Sequence, residues 1–171
     1  MLKAKDFIEI DIKYPTDEKM RLEALYGQIN KQSLKIRQQL SDEFLEIVTN
    51  QDKNIQSRVL ACNILGGYQD ELNFDKMTVA SKLQEVLWNE FIVFRRSDKV
   101  FAHENLYLLK TDPMKACFLQ ILLATLLRID FENMNQIVEK ILDNMENNQL
   151  KESLMALMIK EKHNRGAHPG K

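Results

Sequence analysis

The stretch from Asp112 to Arg128 (Asp-Pro-Met-Lys-Ala-Cys-Phe-Leu-Gln-Ile-Leu-Leu-Ala-Thr-Leu-Leu-Arg) constrains the fold more than any other. Asp112 is a short polar residue at a capping position, and Pro113 suits the first helical turn, where its missing N–H costs nothing. Beyond Lys115 the run is apolar on nearly every side. Gln120 interrupts it, and it is too short to span a bilayer of about 30 Å. A helix without a polar face must be covered by other elements. The other periodic segments each carry a single apolar face. Together they predict an all-α, mainly helical domain: an irregular stack of antiparallel helix pairs around a central apolar helix over 113–128.

Length and composition agree with this reading. The 171 residues suggest one domain, large enough to bury a core without disulfide or metal. Only 5 Gly and 3 Pro leave few breaks between helices. The net charge of −1 supplies no bulk attraction for nucleic acid or an anionic membrane. Cys62 and Cys117 lie inside apolar helical patterns and read as buried, reduced thiols. The first residues have no apolar run of signal-peptide length behind them. A cytoplasmic protein is expected, in a single domain over 1–162 with a flexible basic tail over 163–171.

Phe7 to Tyr14 alternates strictly. Ile8, Ile10, Ile12 and Tyr14 fall on one side, and Glu9, Asp11 and Lys13 on the other. Period two predicts a half-buried extended segment over 7–14. An isolated strand needs a partner, so this segment is either an arm on the helices or the edge of a homodimer sheet. From about Asp17 to Asn50 the pattern is helical, with a break expected near Ser41, where Ser41 would cap a second helix from Asp42. A helix over Ile55–Leu65 should stop at Gly66-Gly67 in a left-handed cap, followed by a loop over Tyr68–Asn73. Asp75 caps the next helix. Phe91 to Phe94 suits helix or strand, Arg95 to Asp98 reads as a turn, and Val100 to Leu109 is again helix or strand. Phe131, Met134, Ile137, Val138, Ile141, Leu142 and Met145 form the cleanest amphipathic helix. Leu150, Leu154, Leu157 and Met158 mark the last one.

Asp52, Arg58, Ala61, Leu65 and Gly66 give the segment 52–67 a polar Asp-containing turn, a mid-helix Arg and Ala, and a Leu-Gly end. In this it resembles the second helix of a HEAT-type repeat. Asp112-Pro113 and Asn147-Asn148 open later helices in a similar way, although the starts are unevenly spaced. The resemblance covers about a third of the chain and implies stacked antiparallel helix pairs with a face for a protein partner.

No catalytic constellation is legible. Cys62, Cys117, His103, His163 and His168 show no zinc-ligand spacing. Glu132, Glu139 and Asp143 recur on the polar side of one helix and read as a solvated face. Gly66-Gly67 stands without the Lys-Ser or Lys-Thr of a phosphate loop. No cofactor and no metal is expected. Three function classes remain. The first is a noncatalytic protein-binding module, such as an adaptor or a small bacterial inhibitor of the immunity-protein kind. Its partner-facing residues would be Tyr68, Trp88, Arg95, Arg96, Lys99 and Phe101, since aromatic and Arg side chains are favoured anchors. The second is a winged-helix DNA-binding regulator, with a recognition helix over 75–83, a β-wing over 91–102, and Arg95, Arg96 and Lys99 on phosphate. The third is a small helical ribonuclease, suggested by Arg165-Gly166-Ala167-His168, which resembles the Arg/His pair of HEPN-type enzymes at a shorter spacing.

Overall fold

The computed structural model describes residues 2–13, 23, 26–96, 99–102, 112–143 and 149–166. The fold is all-α in character, with one short β-ribbon. Length alone predicts one domain; contacts divide the chain into two compact units, Met1–Lys82 and Leu83–Lys171.

The first unit opens with α1 (Ala4–Lys13), so the extended segment expected over 7–14 is helical as far as Lys13. Tyr14 lies outside the described residues. The correction has a local and a tertiary cause. Ala4, Phe7 and Ile8 are buried at i, i+3 and i+4 spacing, the helical signal that the alternating isoleucines obscured. Asp6 Oδ2 accepts the Lys3 N–H at 2.9 Å, and Glu43 Oε2 accepts the Ala4 N–H at 2.8 Å. Two carboxylates thus satisfy open amides at the positive end of the helix. A helix keeps its backbone bonds internal, so this segment offers no sheet edge to a second copy.

Glu43 belongs to α2 (Leu34–Thr49). Residues 26–29 form a helical turn before it. The break expected at Ser41 falls earlier, at residues 30–33. Ser33 is the cap, its Oγ accepting the Ile36 N–H at 3.3 Å. Ser41 is buried inside the helix, and its hydroxyl donates to the Arg37 carbonyl at 3.0 Å. That i−4 bond lets a polar residue sit in a helix interior. Leu40, Phe44 and Val48 form the buried face.

A polar turn over 50–54 leads to α3 (Ile55–Gly67), which packs against α2. Asn54 caps it, its Oδ1 accepting the Gln56 N–H at 2.8 Å. Gly67 is the last helical residue, without a left-handed backbone, and α4 (Gln69–Leu72) replaces the loop expected over 68–73. The left-handed cap stands at Asn73 instead, with φ 54° and ψ 43°. Asn tolerates that region because its short amide bonds locally. α5 (Lys76–Glu90) follows, and the boundary between the units falls within it, after Lys82; Asp75 accepts the Met77 N–H at 3.2 Å and the Thr78 hydroxyl at 2.7 Å.

Two arginines tie this unit together. Arg58 is 4% exposed, and its Nε donates to the Val48 carbonyl, in the last turn of α2, at 2.9 Å. Arg37 donates from Nε to the Gln32 carbonyl at 3.1 Å, from Nη1 to the Glu71 carbonyl at 3.3 Å, and from Nη2 to the Asn30 carbonyl. Carbonyls at helix ends and turns have no partner along their own segment. A guanidinium, with five donors in a plane, can serve several at once.

In the second unit, β1 (Ile92–Arg96) and β2 (Lys99–Ala102) pair antiparallel. Ile92 stands opposite Ala102, Phe94 opposite Phe101, Arg95 opposite Val100 and Arg96 opposite Lys99, with an irregularity between Ile92 and Phe94. This decides the segment 91–102, which sequence left between helix and ribbon. Arg95 and Arg96, read as a turn, are paired strand residues. Residues 97 and 98 between the strands, and 103–109 after them, lie outside the described residues.

α6 (Pro113–Ile129) is the expected central helix. Asp112 Oδ1 accepts the Lys115 N–H at 3.2 Å, and Pro113 occupies the first turn. The six consecutive residues Leu122 to Leu127 are buried, more than one full turn, so the helix is covered on all sides there. Phe91 meets Phe118 edge-on, with ring centroids 5.7 Å apart. Asp130 alone joins α6 to α7 (Phe131–Asp143). Its N–H closes α6 on the Leu126 carbonyl at 2.8 Å, its carbonyl accepts the Met134 N–H at 3.0 Å, and its carboxylate holds Asn133. Phe131, Met134, Val138, Ile141 and Leu142 are buried, as the periodicity predicts; Met145 lies outside the described residues. α7 and α8 (Gln149–Gly166) both pack on α6 and on each other, and β2 lies against α7.

α8 runs past His163, where a tail was expected. Arg165 explains the extension: Nη2 donates to the Leu127 and Arg128 carbonyls at 3.3 and 3.5 Å, and the guanidinium sits 4.5 Å from the Phe131 ring centre. A cation at the negative end of α6, over an aromatic face, holds the last turn of α8 in place. Residues 167–171 lie outside the described residues.

The burial pattern yields a paired test. Leu122→Ala should lower stability by about 3 kcal/mol, the usual range for an emptied core leucine. Leu34→Ala, at a leucine that is 64% exposed, should change it by less than about 0.5 kcal/mol. Urea unfolding of both variants beside wild type measures the contrast.

Candidate protein-binding surface

α7 and α8 enclose a cleft of about 250 Å³, lined by Glu139, Leu142 and Asp143 from α7 and by Lys151, Met155, Met158, Ile159 and Lys162 from α8. Its floor belongs to the core: Leu142 and Met158 are 5% and 4% exposed. Its outer wall does not: Met155 and Ile159 are 46% and 67% exposed. Lys162 Nζ closes one end on Glu139 Oε1 at 2.6 Å. That exposed pair contributes little to stability, but it fixes where the charges stand.

The local cause is the sequence of α8. Leu154 and Met158 point inward at i, i+4, and the Glu161 carboxylate lies 3.9 Å from Arg128 on α6. One step round the helix, Lys151, Met155, Ile159 and Lys162 make a second stripe of two apolar residues between two lysines. One stripe builds the fold; the other is apolar area left at the surface. The carboxylates of Glu139 and Asp143, expected as a solvated face, rim this cleft.

The six anchor residues expected from sequence are distributed differently. Tyr68 is the C-cap of α3 in the first unit, half-buried. It stacks on Tyr26 at 4.2 Å between centroids; Tyr26 stacks on Phe7 at 5.4 Å, and Phe7 meets Phe44 edge-on at 5.5 Å. Tyr68 is therefore the outer rung of a packed aromatic ladder. Trp88 is half-buried on α5. Arg95 and Arg96 on β1, and Lys99 and Phe101 on β2, share one ribbon, with Arg96 and Lys99 at opposed positions. Met155 and Ile159 were not anticipated. Their signal was available: α8 carries apolar residues at 154, 155, 157, 158 and 159, more than one face can hold.

Other chemistry is sparse. Cys62 is buried and Cys117 half-buried. Among the described residues no group of three or more His, Cys, Asp or Glu is placed to hold a metal ion. Among them, too, no helix is long and apolar enough to cross a membrane. Of the ribonuclease pair, Arg165 is engaged with carbonyls of α6 and the Phe131 ring, and His168 lies outside the described residues. Comparison with protein families, with curated proteins and with solved structures finds no match.

Burial raises the pKa of the Tyr68 phenol above its ordinary value, and the negative charges of Glu71 and Glu23 add to the effect. The folded state therefore keeps the proton to higher pH than the unfolded chain. Stability from this group is whole below the unfolded pKa and is lost as pH rises through the folded one. Tyr68→Phe should flatten the alkaline loss of stability, with the difference from wild type confined to the range above about pH 10. Urea midpoints across that range measure it.

Proposed function

We propose that this chain is a noncatalytic protein-binding module of the cytoplasm, of the adaptor or small-inhibitor kind, that docks a polypeptide in the α7/α8 cleft. The observation that carries this reading is the exposure of Met155 and Ile159 over an apolar floor, within a rim of charged side chains. An apolar centre with a polar rim is the usual anatomy of a protein interface. A groove between helices accepts the apolar face of another helix, and methionine adapts its shape to what it meets. The HEAT-type resemblance fits the same function. It is supported by the packed pair α2 and α3, by the polar turn between them, and by the burial of Arg58, Ala61 and Leu65 at the motif positions. A photocrosslinking residue placed at Ile159 should give a discrete polypeptide adduct in cells of the source organism. The same residue at Gln56, an exposed position of α3, serves as control. Equal yields at the two positions would defeat the docking reading.

A second reading has one observation in its favour. The antiparallel ribbon of β1 and β2 is separated from the end of α5 by the single residue Phe91 and carries Arg95, Arg96 and Lys99, the order of a recognition helix followed by a wing. As a winged-helix regulator the chain would retard duplex DNA at low salt. Arg95→Glu with Arg96→Glu would weaken binding and reduce its salt dependence. Unaltered mobility of the DNA in a low-salt gel would dismiss this reading.

A further inference from the structure

We infer that the occupant of the α7/α8 cleft is a second copy of this chain, with the two α8 helices crossing antiparallel about a twofold axis level with Leu157. The inference rests on the docking reading above and adds the identity of the partner.

The first argument is the order of the exposed stripe. Lys151, Met155, Ile159 and Lys162 read charged, apolar, apolar, charged from either end. Met155 and Ile159 are centred on position 157, and the two lysines lie within half a residue of the same centre. A twofold interface requires a self-complementary patch. Antiparallel crossing at this centre sets Met155 against the partner's Ile159 and Ile159 against the partner's Met155. Both exposed apolar side chains are then covered at once.

Charge is the second argument. The cleft carries two carboxylates, Glu139 and Asp143, and two ammonium groups, Lys151 and Lys162. With no excess of either sign, it selects neither an acidic nor a basic foreign helix. It does match its own image. In the antiparallel arrangement, Lys151 and Asp143 arrive at the end where the partner's Glu139 and the partner's Lys162 are paired. Each end then gathers two acids and two bases. A parallel arrangement would instead set each lysine of the stripe, Lys151 and Lys162, level with its own copy, base against base. It would also align rather than oppose the two helix dipoles. Two α7/α8 hairpins joined in this way make a four-helix assembly. Over residues 7–13 the expected sheet edge is replaced by the helix α1, which offers no edge for strand pairing.

The test is the mass of the intact chain in solution over about a hundredfold range of concentration. Sedimentation equilibrium should show the mass rising from 20.1 kDa towards twice that value. Ile159→Lys, at a residue already in water, should keep its helical circular dichroism and weaken association at least about tenfold. Glu139→Lys should weaken it too, and adding Lys151→Glu should restore it. Within one copy Glu139 is paired with Lys162, which stands eleven residues, roughly 16 Å, beyond Lys151 along α8 at 1.5 Å per residue. Rescue therefore reports a contact between copies. A monomer at every concentration, a dimer indifferent to Ile159→Lys, or a failed rescue would overturn the inference. A monomer whose crosslinker at position 159 captures a foreign polypeptide would overturn self-association while leaving the docking reading standing. A monomer that captures nothing there would remove both.

Discussion

A helix that is apolar around its whole circumference cannot stand in water, and in the second unit everything is arranged to cover one. α6 is buried over Leu122–Leu127, and α7 and α8 pack on it. Its last turn presents carbonyls that lack partners along the helix. Two devices meet that demand. Asp130 closes α6 and opens α7 in a single residue. Arg165, reaching from the end of α8, donates to the Leu127 and Arg128 carbonyls and rests on Phe131. The apolar constraint and the polar one are met by the same packing.

The first unit shows the same use of arginine. Arg58 from α3 serves the Val48 carbonyl at the end of α2, and Arg37 serves carbonyls at 30, 32 and 71. In each case a guanidinium replaces the water that the carbonyl would otherwise bind. Its planar fork does this with less loss of freedom per bond than a lysine would need. The helices are thereby tied at their ends as well as along their faces. The Phe7–Tyr26–Tyr68 stack, with Phe44 edge-on, seals the same unit with rings in stacked and edge-on arrangements.

The surface over α7 and α8 is a by-product of how α8 is written. A helix needs about one apolar stripe to join a core. Leu154 and Met158 supply it, while Met155 and Ile159 supply area beyond it. Glu139, Asp143, Lys151 and Lys162 surround that area with equal charge of both signs. Ile159 is 67% exposed, so among the described residues the core does not require it to be apolar, and that is why the functional reading centres there.

Periodicity and capping chemistry are properties of consecutive residues, and they were legible. Asp112-Pro113 and Asp75 open helices where the sequence places them. The stripe from Phe131 to Leu142 faces inward as its spacing requires, and 113–128 forms the central helix. Residues 7–13 were misread because Ile8, Ile10 and Ile12 satisfy period two, while the deciding groups lie elsewhere: Glu43, from another helix, caps the segment, and the buried ring of Phe44 receives Phe7. Ser41 had the chemistry of a cap, but burial and its bond to the Arg37 carbonyl made it a helix interior. The left-handed turn went to Asn73 rather than to the glycines, since α3 runs through Gly67 and the chain turns only after α4. The helical class and most of the core thus follow from local order along the chain. The conformation of 7–13 and the three arginine ties were decided by tertiary packing, because each depends on which distant carbonyl, carboxylate or ring lies beside it; the pairing of 92–96 with 99–102 and the exposure of Met155 and Ile159 likewise depend on which segments come to lie together.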